Sequence, residues 1–235
     1  MMRAGRILAA ALLISVPAGA LVAKPAPKRA AAKVDWTRTF ATTSAGGFVV
    51  GNPKAKVKVI EYGSLTCSHC RHFAETAVKP LLSNYVRTGK ASYEFRTFVL
   101  NGIDLAATLV ARCNGPAHFF PMADQLYATQ PTWSGKVGQL SEADQAKLNA
   151  LPQPQMMASI AKTTGLLPIA VSHGIPVAKA QQCLASQAQA DGLMAMIKGG
   201  EDLGVTGTPT IFVNGKKVPA FDWASLEPFL KEAGS

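Results

Sequence analysis

The chain has 235 residues, 48% of them hydrophobic and 16% charged, a balance that excludes an intrinsically disordered protein and supplies a core for one domain with an insertion or for two small domains. Its net charge of +10 is unevenly placed: residues 1–34 hold Arg3, Arg6, Lys24, Lys28, Arg29 and Lys33 and no acid, and the other 18 basic and 14 acidic residues leave +4 on the body. A nucleic-acid binder would carry its positive charge on the fold, and no apolar run of about 20 residues follows the N-terminus to make a bundle of membrane helices.

Arg3 and Arg6, the apolar stretch Ile7 to Val16 and the Pro17-Ala18-Gly19-Ala20 site read as an export signal over residues 1–20. The competing reading is an uncleaved anchor; Pro17 and Gly19 interrupt the apolar stretch, so cleavage is expected. Residues 21–45 follow as an Ala/Pro/Lys-rich tail, because Lys24 to Lys33 has neither apolar periodicity nor strand-forming residues. Export places the body in the periplasm, an oxidising compartment in which Cys67, Cys70, Cys113 and Cys183 are free to pair.

Phe48-Val49-Val50 is a short apolar run closed by the turn signal Gly51-Asn52-Pro53. Lys56 to Tyr62 alternates and is rich in β-branched residues, which predicts a strand running into Cys67. From Cys70 the residues Phe73, Ala77, Leu81 and Tyr85 mark one face of a helix, capped by Ser64 or Thr66, ended by Gly89 and kinked at Pro80. Ser92 to Val99 is a second strand, completing a βαβ unit. From Asp104 to about Gln187 apolar residues recur at helical spacing, and prolines 116, 121, 131, 152, 154, 168 and 176 are expected to cut the segment into short helices. Ala188 to Leu203 is helical again, Thr210 to Val213 and Lys216 to Val218 form a hairpin around Asn214-Gly215, and Trp223 to Glu232 closes as an amphipathic helix. The expectation is therefore an α/β fold, βαβ plus ββα over residues 46–103 and 188–235, with an all-helical insertion over 104–187.

The chemistry sits in Cys67-Ser68-His69-Cys70. A cysteine on the first turn of a helix faces unpaired backbone donors and the positive end of the dipole, both favouring thiolate, while the second cysteine lies one turn inside and is shielded. His69 adds a donor and, when protonated, a charge beside Cys67. Three other readings compete. A structural C-x-x-C bridge is one; zinc is another, but His72, Cys113 and Cys183 supply no second knuckle; covalent haem fails because Arg71, not histidine, follows Cys70. Glu61 shares a strand face with Val57 and Val59, so it is either solvent-facing or a buried acid able to relay the proton of Cys70. Gly207-Thr208-Pro209-Thr210 is either a plain strand boundary or, with a cis bond at Pro209, an unpaired edge beside Cys67 on which an extended substrate pairs.

The segments V-I-E-Y-G-S-L-T-C-S-H-C and G-V-T-G-T-P-T-I-F-V-N-G resemble the thioredoxin-like DsbA family of secreted thiol:disulfide oxidoreductases over roughly residues 46 to 235. The resemblance implies that Cys67 is the nucleophile, Cys70 resolves, His69 tunes the thiolate, Glu61 is the buried acid, and Ser68, Thr208 and cis-Pro209 meet the substrate. Ser68 departs from the Pro of the best-known oxidases and Thr208 from their valine, a departure shared with isomerases and weaker oxidants. The family further implies reduced exported proteins as clients, a DsbB-like quinone-linked membrane protein as reoxidant, and no cofactor or metal beyond the dithiol. Cys113 and Cys183, at opposite ends of the insertion, are expected to form a structural disulfide, two buried free thiols being the alternative. Isomerases of the superfamily carry a separate dimerisation domain, so a monomeric oxidase is expected; an isomerase or reductase, or a chaperone or metal carrier using the same cysteines, are the other readings.

Overall fold

The computed structural model describes residues 34–234; the export signal and most of the expected tail lie outside the described residues. Six strands form one sheet in the order β1-β2-β4-β3-β5-β6, with β1 Phe40–Thr42, β2 Phe48–Gly51, β3 Val57–Gly63, β4 Ala91–Thr97, β5 Thr210–Val213 and β6 Lys216–Val218. β3 and β4 are parallel and all other neighbours antiparallel. The parallel pair sits at the centre and is buried on both faces, as parallel strands require. On one face Val57, Val59, Tyr93 and Phe95 enter the main core; on the other Tyr62 packs with Val205 and Phe212. The β5–β6 hairpin turns at Asn214 (φ 49°) and Gly215 (φ 81°), the left-handed pair that an Asn-Gly turn supplies.

Part of the segment read as tail is sheet. β1 pairs Phe40, Ala41 and Thr42 with Val50, Val49 and Phe48. Its side chains are mostly solvent-facing, so it carries no apolar alternation; backbone pairing and the stack of Phe40 on Phe120 (6.0 Å between centroids) hold it instead.

Residues 68–86 form one helical run: α1 Ser68–Phe73 and α2 Lys79–Leu81 alternate with wide i→i+5 turns at Ala74–Val78 and Leu82–Val86. Pro80 donates no backbone hydrogen bond, and the wider turns flanking it absorb the defect without breaking the helix. The helices that follow are α3 Gly102–Ala111, α4 Pro116–Ala128, α5 Gln130–Trp133, α6 Glu142–Asn149, α7 Gln153–Thr164, α8 Leu166–Ser172, α9 Val177–Leu184, α10 Gln187–Asp202 and α11 Trp223–Glu232. Of the prolines expected to cut this segment, Pro116, Pro131, Pro152, Pro154 and Pro176 stand at N-caps or first turns, where the missing N–H costs nothing. Pro121 is different: it lies inside α4, whose Phe119 is packed edge-on to Phe48 (5.4 Å) and against Phe95 (5.2 Å). The same contacts show that the inserted helices and the sheet share one core. Among the described residues no helix is long and apolar enough to cross a membrane.

Candidate active site

β3 ends at Gly63, the loop Ser64-Leu65-Thr66, its first two residues still buried, turns the chain, and Cys67 becomes the N-cap of α1 in extended geometry (φ −79°, ψ 124°). Its Sγ is half-buried and reaches the carbonyl oxygen of Thr208 at 3.4 Å; the Thr208–Pro209 bond is cis. The residues of the two segments singled out in the sequence, 141 positions apart, thus meet at one sulfur. The Cys67 pKa is drawn down to about 5, first by a hydrogen bond from the Cys70 thiol, then by the Thr208 side chain and the backbone N–H groups of Cys70 and His69, against burial that raises it. Beside the protonated thiol the buried Thr208 hydroxyl lacks a partner among the described residues; ionisation of Cys67 gives it an acceptor. His69 acts through its backbone N–H, and its imidazole is exposed, as is Ser68.

Cys70 is fully buried at 0% exposure and receives a hydrogen bond from the Ser64 N–H at 3.5 Å. Burial, the neighbouring thiol of Cys67 and the charge of Glu61 hold its pKa well above the ordinary value. Glu61 is not solvent-facing: it is 1% exposed, its Oε2 accepts from the Tyr93 hydroxyl at 2.5 Å, and Oε1 has no partner among the described residues. Desolvation lifts its pKa to about 8, so at neutral pH it is a carboxylic acid, a proton donor within electrostatic reach of Cys70. The two sulfurs are thereby separated in role: a half-exposed one that is stable as an anion and a buried one that stays protonated.

Three further groups, which the sequence analysis did not single out, touch the loop. Asp104 of α3 is 0% exposed, and its carboxylate accepts from Leu65 N–H (2.9 Å) and Leu100 N–H (3.0 Å); burial raises its pKa to about 6. Tyr127 of α4 donates to Ser64 O at 3.0 Å, and the Gln130 amide of α5 donates to Leu65 O (2.9 Å) and Cys67 O (3.0 Å). In sequence Asp104 is an ordinary helix-start acid at N3 after the N-cap Asn101, and nothing around Gln130 marks it. Cys113 and Cys183 are joined in a disulfide that ties the turn after α3 to α9 (Cα–Cα 5.7 Å). Among the described residues no three His, Cys, Asp or Glu side chains converge as a metal site.

A C-x-x-C dithiol at the start of the first helix after a central parallel strand, facing a cis-proline loop, is the site of a thioredoxin-fold thiol–disulfide protein. The thioredoxin family profile matches residues 43–232, so the chain belongs to that family. It is similar to chains that carry the name protein-disulfide oxidoreductase in Rickettsia conorii (29% identity, 71% of this chain, 53% of that protein) and in Rickettsia felis (28%, 79% and 59%); the chain spans about half the length of these curated relatives. The solved structure of a protein-disulfide isomerase from Novosphingobium aromaticivorans superposes with TM-score 0.74 at 28% identity, covering 80% of this chain and 97% of that one. Wolbachia pipientis alpha-DsbA1 shares the fold at 22% identity (TM-score 0.64, 79% of this chain and 89% of that one). The thioredoxin-like fold with inserted helices expected from the sequence is the observed one.

Proposed function

We propose that this chain is an exported, monomeric thiol:disulfide oxidase that donates a Cys67–Cys70 disulfide to reduced client proteins in the periplasm. The observation that carries this reading is the asymmetry of the dithiol: Cys67 half-exposed and held near pKa 5, Cys70 buried and held protonated. A thiolate stable at neutral pH stabilises the reduced pair and makes its sulfur a good leaving group, which turns the disulfide into an oxidant. The names of the Rickettsia relatives support disulfide chemistry, and that of the Novosphingobium structure keeps isomerisation as the second reading.

A client thiolate attacks Cys67 Sγ, the accessible sulfur. The Cys67–Cys70 bond breaks, its electron pair leaves on Cys70, and a client–Cys67 mixed disulfide forms. Glu61 gives its proton to Cys70, so the charge passes from the thiolate to the buried carboxylate, which the Tyr93 hydroxyl bonds, and the core is relieved of an anion when Glu61 recovers a proton from solvent. The client's second thiolate then attacks the client sulfur of the mixed disulfide, Cys67 departs as thiolate, and two electrons have passed from client to dithiol. Thr208, whose carbonyl faces Cys67, offers an edge on which an extended client pairs, with cis-Pro209 and exposed Ser68 beside it. The pair carries the electrons itself and needs no cofactor; a DsbB-like quinone-linked membrane protein is the partner that accepts them.

Equilibration with glutathione tests the direction. A Cys67–Cys70 potential close to about −120 mV is expected for an oxidase; a value close to about −270 mV would assign the chain to reductants instead.

A further inference from the structure

The backbone just before the catalytic helix is held from the inserted helices, and the hold reaches Cys67 itself. The carbonyl of Cys67 accepts two donors: the Arg71 N–H at 3.1 Å, which is the first bond of α1, and Gln130 Nε2 at 3.0 Å. The second hydrogen of the same amide goes to Leu65 O at 2.9 Å. Both neighbours are carbonyl acceptors, so the amide has one orientation only. Gln130 is 4% exposed, so bulk water does not compete for those carbonyls. It is also the first residue of α5 and is followed by Pro131, which restricts its backbone.

We propose that Gln130 is a positioning residue for the nucleophile: by pinning the Cys67 and Leu65 carbonyls it keeps Cys67 Sγ over the N–H groups of His69 and Cys70, so that the inserted helices set the reactivity of the dithiol. The inference rests on Cys67 being the reacting sulfur. Rotation of the peptide after Cys67 would carry Sγ off those donors, and the Gln130 bond opposes that rotation. Asp104 grips the same loop with the opposite electrostatic consequence. Its carboxylate holds Leu65 N–H, but its charge repels that of Cys67, whereas an asparagine would keep the acceptor and lose the charge.

The test is the Cys67 pKa, read from thiolate ultraviolet absorbance on the reduced full chain. Gln130→Ala and the uncharged, similarly sized Gln130→Met are expected to raise it by about one unit, a tenfold loss of thiolate relative to thiol, while Asp104→Asn lowers it. If Gln130→Ala does not fold, Gln130→Met, which fills the space without adding charge, carries the measurement. Folded Gln130 variants with an unchanged pKa overturn the proposal. So does an Asp104→Asn shift in the same direction as theirs, the mark of a merely loosened loop. A wild-type pKa at the ordinary cysteine value would overturn the nucleophile assignment and the positioning role with it, whereas a low wild-type value with unresponsive Gln130 variants removes the positioning role alone.

Discussion

Glu61 shows how a single residue makes the site pH-dependent. Its carboxyl is neutral in the native protein up to about pH 8 but ionises near 4.5 in the unfolded chain. Between those values the native state binds one proton more, so stability falls as pH rises, by up to about 1.4 kcal/mol per unit. Cys67 works the other way in the reduced protein: a pKa lowered to about 5 stabilises the fold fully above 9, and the gain is lost as pH falls through 5. Solvent screening shrinks that contribution because the sulfur is half-exposed. Asp104, raised to about 6, adds to the Glu61 trend below pH 6. The oxidised protein between pH 6 and 8 therefore isolates Glu61. Denaturant melts there should show wild-type stability declining with pH and Glu61→Gln flat; a decline that persists in the variant would remove Glu61 from the account.

At the scale of elements, the packing of α10 on the sheet depends on one missing methyl group. A Cβ at Gly200 would stand 2.7 Å from the Tyr62 ring. That ring is 1% exposed, bonded through its hydroxyl to Arg96 at 2.9 Å and set edge-on to Phe212 at 5.9 Å, so it has nowhere to move. Alanine gains about 1 kcal/mol of helix propensity over glycine, while overpacking costs about 1–3 kcal/mol. Gly200→Ala should thus lower Tm by the equivalent of about 1 kcal/mol. Gly199, one position earlier with open space at its Cβ, is the control: Gly199→Ala should raise Tm. If both substitutions stabilise, α10 is not held to β3 as tightly as this contact requires.

For the whole molecule, the Cys113–Cys183 bond closes a segment of 70 residues that contains most of the inserted helices. By the loop-entropy account such a cross-link stabilises the fold by up to about 4 kcal/mol. The Cys113→Ala/Cys183→Ala protein should lose stability of that order in urea while the Cys67 pKa stays where it was. A shifted thiolate would instead couple the far end of the insertion to the catalytic loop.

Much of the fold and half of the site were legible in the sequence, for a common reason. Period-two and helical spacing, Asn214-Gly215, and the three-residue separation of Cys67 from Cys70 are local regularities, and local chemistry enforces them. Glu61 was visible too, because it breaks an apolar strand face. Other features have no local signature. β1 is three mostly exposed residues that exist through pairing with β2, and Pro121 survives inside α4 because Phe119 is anchored in the sheet core. Asp104, Tyr127 and Gln130 are everyday helix residues until folding brings them, across 39 to 65 positions of chain, onto the loop that carries the sulfur. Sequence alone determined which sulfur is poised at a helix start, since dipole and backbone donors follow from spacing. What holds that sulfur in place was decided by tertiary structure, because hydrogen bonds between distant segments are set by how the chain packs.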